Sequence, residues 1–94
     1  MVERAMLRVI CYDVAADHRR RKVADLLEQE AVRVQDSVFE ARLTEREATA
    51  LTRRLIGLMA PDDKLRVYAI DAGCIRRTLT HGGPPPEEQD FWLL

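Results

Sequence analysis

The stretch "MLRVICYDVAADHRRRKVADLL", residues 6–27, decides how the chain folds. Its first part, residues 6–14, is short, apolar and rich in β-formers, and it is bounded by Ala15, Ala16 and Asp17. That length and composition describe a buried strand. Asp17 is placed to N-cap a helix. Beyond it Val23, Leu26 and Leu27 recur at three- and four-residue spacing, the apolar stripe of a helix running to about Glu30. The stretch is therefore one β–α unit. Two features of it are unusual: the strand closes on an acid, Asp13, and the helix opens with His18, Arg19, Arg20, Arg21 and Lys22. Bases in a first helical turn oppose the macrodipole, which favours acids there. At 100° per residue Arg19 and Arg20 lie close to the apolar stripe, near the strand end that carries Asp13, whereas Arg21 points away.

Outward from this unit, Thr44 and Glu47 form a T-x-x-E capping box, and Ala48, Leu51, Leu55, Leu58 and Met59 line one face of a second helix that Pro61 should end. Between the helices, residues 32–43 ("VRVQDSVFEARL") are β-rich but change phase: Val32 and Val34 share one parity, Phe39, Ala41 and Leu43 the other. A bulge or reversal near Asp36 and Ser37 accounts for the change. After Pro61-Asp62-Asp63, Leu65, Val67 and Ala69 alternate with Arg66, Tyr68 and Ile70 as in a half-buried strand. The order β-α-β-β-α-β in so short a chain predicts an α+β, ferredoxin-like sandwich with both helices on one face of the sheet. The other face then needs cover, and a second copy of the chain is the simplest source.

At 94 residues the chain is one domain, small enough to gain from a partner. We assign residues 1–80 to the domain and 81–94 to a C-terminal extension. The latter contains Gly82-Gly83-Pro84-Pro85-Pro86 and ends in Phe91-Trp92-Leu93-Leu94, which is too apolar for a free tail and is expected to dock on the body or on a partner. A short strand or helical turn is expected around Ile75 to Leu79. Apolar residues make up 47% and charged residues 33%, with no signal-peptide pattern and no run of bilayer length, so a cytoplasmic protein without membrane contact is expected. Cys11 and Cys74 have no metal or redox spacing and read as packing residues. A net charge of −1 means that any nucleic acid must be met by a local basic patch.

An acid at a strand end beside guanidinium groups has two readings. One is an ion pair of Asp13 with Arg19 or Arg20. The other is a phosphodiester site, with Asp13 on a divalent cation and arginines on phosphates. A single carboxylate is thin for Mg²⁺, but a two-fold dimer would supply Asp13 twice. Spacing alone leaves both open.

Three segments, "YDVAADHRRRKVADLL", "RVQDSVFEARLTEREATAL" and "LRVYAID", in this order and with these gaps, resemble the CRISPR-associated protein two family, the small subunit of the spacer-acquisition machinery. The resemblance covers about residues 6–71. It implies a ferredoxin-like homodimer with facing sheets. It also implies a Mg²⁺- or Mn²⁺-dependent endonuclease acting on single-stranded RNA or double-stranded DNA, and partnership with the CRISPR integrase, protein one of the system. Position by position, the family's catalytic and metal-binding aspartate falls on Asp13 and its tyrosine on Tyr12. Nucleic-acid-binding bases fall on Arg20, Lys22 and Arg33, with Arg19 beside them, and the motif's phenylalanine falls on Phe39, for which packing or interface burial is expected. Lys22 stands where some members have arginine, which removes the planar fork for phosphate, and Asp36 stands where tyrosine is frequent. Two other classes are weighed beside this one: a non-catalytic dimeric scaffold bridging integrase subunits on DNA, and a toxin-like ribonuclease dimer. Ser37, His18 and His81 lack partners for catalysis or metal binding, and Arg53, Arg54, Arg76 and Arg77 read as solvated.

Overall fold

A computed structural model describes residues 4–85. Strand β1 (Met6–Asp13) runs through the middle of the molecule and is followed by helix α1 (Asp17–Glu30), strands β2 (Val32–Gln35) and β3 (Val38–Leu43), helix α2 (Glu45–Ile56), strand β4 (Lys64–Ile70) and a short helix α3 (Ala72–Arg76). The four strands form one antiparallel sheet in the order β2-β3-β1-β4. This is the α+β, ferredoxin-like arrangement that the element order requires. No helix among the described residues is long and apolar enough to cross a membrane.

Alternation divides β1 between the two faces of the sheet. Ile10 and Tyr12 join Phe39 and Ala41 of β3, Val23 and Leu27 of α1, and Leu51 and Leu55 of α2 in the core. Leu7, Val9, Cys11 and Asp13 therefore point to the opposite face. Among the described residues Leu7 and Ile75 are the buried apolar residues outside the main core cluster, so α3 closes the Leu7 end of that face. Farther along, Tyr68 is 47% exposed and Val32 39%. The phase change in residues 32–43 has both of its possible causes: a two-residue turn at Asp36 and Ser37 reverses the chain, and the register slips between Arg33 and Gln35.

The capping box of α2 is complete. The Thr44 hydroxyl accepts from the Glu47 amide at 3.1 Å, and the Glu47 carboxylate accepts from the Thr44 amide at 2.9 Å. Several expectations are corrected. The N-cap of α1 is Ala16, and Asp17 is the first helical residue, because the Asp17 carboxylate is taken by Arg20 rather than by a backbone amide. Helix α2 stops at Ile56 with Gly57 as its C-cap, and Leu58 and Met59 sit in the following turns. The short element after β4 is helical but earlier than expected, and Cys74 within it is exposed rather than packed. The predicted docking of Phe91 to Leu94 lies outside the described residues.

Candidate nucleic-acid and metal site

Tyr12 and Asp13 are consecutive on a strand, so they face opposite ways, and the residues expected to form one site are divided between two. On the helix side the Tyr12 and Phe39 rings stack with centroids 6.3 Å apart and planes inclined by 25°. The guanidinium carbon of Arg33 lies 5.0 Å from the Phe39 ring centroid, within cation–π range. Arg33 also pairs with Glu28 at 3.5 Å. The Tyr12 hydroxyl donates to the Asp36 carbonyl at 3.5 Å, and burial pushes its phenol above the ordinary value against the pull of Arg33. Phe39 is fully buried in the core.

These residues border an open cleft of about 650 Å³ between α1 and the β2–β3 turn. Three arginines line it, Arg20, Arg21 and Arg33, but so do four carboxylates, on Asp17, Asp25, Glu28 and Asp36. Arg20 is committed on two sides: its guanidinium donates to the Val14 carbonyl at 2.8 Å and to that of Ala15 at 3.2 Å, and it pairs with Asp17. This explains how a basic first turn is tolerated on α1: its charge is used to satisfy the end of β1. Lys22 is exposed and does not line the cleft, being two residues and hence about 200° around the helix from Arg20.

Arg19 pairs with Asp63 rather than with Asp13. The Arg19 Nε donates to Asp63 at 2.9 Å and its terminal nitrogen at 3.4 Å, while Asp63 also accepts the amides of Ala60 at 2.8 Å and Ala15 at 3.4 Å. The expected ion pair of Asp13 with Arg19 or Arg20 is therefore absent: both arginines find closer acceptors. Asp63 ties the β1–α1 connection to the residue before β4, and it was not singled out in the sequence because it reads as an ordinary turn residue after proline. The Arg19 guanidinium holds the Asp63 carboxyl down at about 2, against an ordinary 3.8. A carboxyl whose folded pKa is depressed contributes stability above its unfolded pKa and loses that contribution as pH falls through the folded one. The staple thus weakens between pH 3.8 and about 2. Arg19→Gln is expected to lower the thermal midpoint at pH 7 and to flatten the decline across that acid window; equal slopes for both proteins in a pH series of melting curves would refute the assignment.

Asp13 is exposed, at the carboxyl end of β1, on the sheet face that the helices leave open. Among the described residues it has no ion-pair partner. It stands opposite Lys64 of β4, with Cys11 opposite Arg66, and these residues line a shallow depression of about 200 Å³. No group of three or more His, Cys, Asp or Glu side chains that could hold a metal ion occurs among the described residues.

A family model described as "CRISPR associated protein Cas2" matches residues 6–78. The chain belongs to the Cas2 family. It is 43% identical over 89 residues to "CRISPR-associated endoribonuclease Cas2 2" of Synechocystis sp., covering 92% of this chain and 96% of that protein. It is 39% identical over 93 residues to "CRISPR-associated endoribonuclease Cas2 1" of Chloroflexus aurantiacus, covering 95% and 100%. Among solved structures, Streptococcus pyogenes Cas2 superposes with a TM-score of 0.71 at 32% identity, over 82% of this chain and all of that one. A chain of the structure described as a partial Cas6-RT-Cas1–Cas2 complex superposes with a TM-score of 0.73 at 28% identity, over 86% of this chain and 90% of that one. In this Cas2-family chain Arg19, Arg20 and Arg33 have acid partners, and Asp13 lies apart from them on the other face of the sheet.

Proposed function

We propose that this Cas2-family chain is a cytoplasmic homodimer that cleaves phosphodiester bonds of single-stranded RNA, double-stranded DNA or both in a metal-dependent reaction, and that it works with the CRISPR integrase in spacer acquisition. The observation that carries the reading is Asp13: an exposed carboxylate without an ion-pair partner, on a sheet face whose middle is apolar. Val9, Cys11 and Val38 are only partly buried there, and Tyr68 is exposed. A second copy laid face to face would cover them and bring two Asp13 side chains toward one axis. The relatives named endoribonucleases support nuclease activity, and the Cas1–Cas2 complex supports the integrase as partner.

One carboxylate per chain is thin for Mg²⁺ or Mn²⁺, and a two-fold axis would double it. Such ions are held by one or two carboxylates, with waters and substrate phosphate oxygens completing the shell, a set that Asp13 and its symmetry mate would provide. When bound, the ion supplies charge neutralisation at the scissile phosphate and acidifies a water. The chain's own residues do the rest: pairing with Lys64 of β4 fixes Asp13 at the end of β1, and the Arg19–Asp63 staple fixes the connection that follows.

Labelled single-stranded RNA and double-stranded DNA are expected to be cut in Mg²⁺ or Mn²⁺ and left intact in EDTA, with the rate per chain falling on dilution as the dimer dissociates. Cleavage that persists in EDTA would overturn the metal-dependent reading. The Cas1–Cas2 complex among the solved structures fits a second reading, a non-catalytic scaffold that bridges integrase subunits on DNA. In that case Asp13→Ala leaves spacer acquisition intact.

A further inference from the structure

We infer that the cleft between α1 and the β2–β3 turn is a protein-docking site, where the carboxylates of Asp25 and Asp36 receive a lysine or arginine side chain of the integrase. The inference rests on the proposed partnership with the integrase and names the surface through which this chain enters it. The cleft opens on the helix side of the sheet, bordered by Tyr12 of the core face and by α1, so it stays exposed when a second copy covers the other face. In a dimer with facing sheets the helix layers are outermost. Two such clefts then open on opposite sides of the assembly, one for each of two partner subunits.

The charges of the cleft sort into paired and unpaired groups. Arg20 is held by Asp17 and two carbonyls, and Arg33 by Glu28 and the Phe39 ring. That leaves Arg21 against Asp25 and Asp36, all three exposed and none with an ion-pair partner among the described residues. A phosphate would meet more free carboxylate than free guanidinium there, whereas a cationic side chain is the complement. Tyr12 points to the same chemistry. It is 6% exposed, and its hydroxyl donates to the Asp36 carbonyl at 3.5 Å but accepts no hydrogen bond among the described residues. A buried oxygen with unused lone pairs calls for a donor, which an ammonium or guanidinium supplies and a phosphodiester does not. The cleft is also held in shape: the Tyr12 amide donates to the Ser37 carbonyl at 3.2 Å, tying the β2–β3 turn to β1, and the Tyr12 ring stacks on Phe39. A preformed site of this kind spares the partner much of the cost of ordering the interface.

The test is the affinity of the full chain for the purified integrase of the same organism, with both proteins free of nucleic acid, read by titration calorimetry at pH 7. The double variant Asp25→Lys, Asp36→Lys is expected to bind about tenfold more weakly or worse. Asp25→Glu with Asp36→Glu keeps both charges and is expected to stay near the wild-type value. Tyr12→Phe deletes only the acceptor oxygen and is expected to weaken binding by about threefold. Arg21→Ala has the opposite sign: it removes a like charge from beside the incoming cation and is expected to tighten binding. That sign keeps the test decisive if the lysine pair impairs folding, which melting midpoints and dimer mass would show. Wild-type affinity in the folded lysine variant overturns the inference, as does weaker integrase binding by Arg21→Ala. If Arg21→Ala instead loses affinity for a fluorescent single-stranded RNA while its integrase affinity is unchanged, the cleft belongs to phosphate and the inference is wrong. Integrase binding that all the variants leave unaltered sinks the inference and spares the partnership. No binding by the wild type sinks both.

Discussion

The Asp13→Ala variant is expected to lose at least about a hundredfold in single-turnover cleavage while keeping its fold. Stabilisation of a phosphodiester transition state by a bound metal is worth several kcal/mol, and each ~1.4 kcal/mol is a factor of ten. If Asp13 is the carboxylate that holds the ion, its removal takes away most of that. The fold should not notice, because the side chain is exposed, makes no ion pair among the described residues and ends a strand already paired on both sides. A surface change of this kind stays within about 0.5 kcal/mol. Dimerisation supplies a second readout with the opposite sign. If two Asp13 side chains approach one axis, removing them relieves like-charge repulsion, so without metal the variant should dimerise at least as tightly as the wild type. Metal should tighten the wild-type dimer and not the variant. Wild-type cleavage in the folded Asp13→Ala dimer would move the catalytic role elsewhere; a weaker variant dimer in EDTA would mean that the two carboxylates do not meet.

How far the sequence could be read follows from the range of each signal. Capping at Thr44, the apolar stripe of α1 and the alternation of β4 are local, and each was legible because neighbouring residues carry the whole pattern. The phase change at residues 32–43 was legible as an event but not as a choice between turn and bulge, since parity records only that an odd step occurred; the structure contains both. Ion-pair partners were the least legible feature. Arg19 and Asp63 are 44 residues apart, and nothing in the turn "PDD" marks one aspartate as a staple and the other as solvated. Arg8 presents the same difficulty. It lies on the core face of β1, 8% exposed, between Ala41 and Ala69, with its Nε donating to the Leu43 carbonyl at 3.3 Å. The small residues that make room for it are on two other strands. The resemblance to a family named the residues of the site, but motif spacing does not record a face. Only the strand geometry divides Asp13 from Tyr12, Arg20 and Arg33.

Phe39→Ala is expected to be the most damaging single core change, and its cost should appear in folding before it appears in chemistry. Truncating a buried aromatic side chain costs about 3–5 kcal/mol, and a chain of this length has roughly 5–14 kcal/mol in all. Phe39 is fully buried at the centre of the sheet, opposite Ile10, with the Tyr12 ring on it and the Arg33 guanidinium over it. Alanine there leaves a cavity, removes the ring that Tyr12 packs on and turns Arg33 loose from its face, so three of the residues that the family motif singles out lose their mutual support at once. Phe39→Leu retains most of the apolar volume without an aromatic face. If Phe39 packs, urea midpoints should fall sharply for alanine and modestly for leucine, and the leucine variant should cut nucleic acid at a rate near that of the wild type wherever it is folded. If the ring instead stacks on a base during catalysis, leucine would lose cleavage or RNA affinity at unchanged stability, because an aliphatic side chain fills the core but offers no π-face. The full burial of the ring favours the first outcome, since a base could reach it only after β3 had separated from its cover.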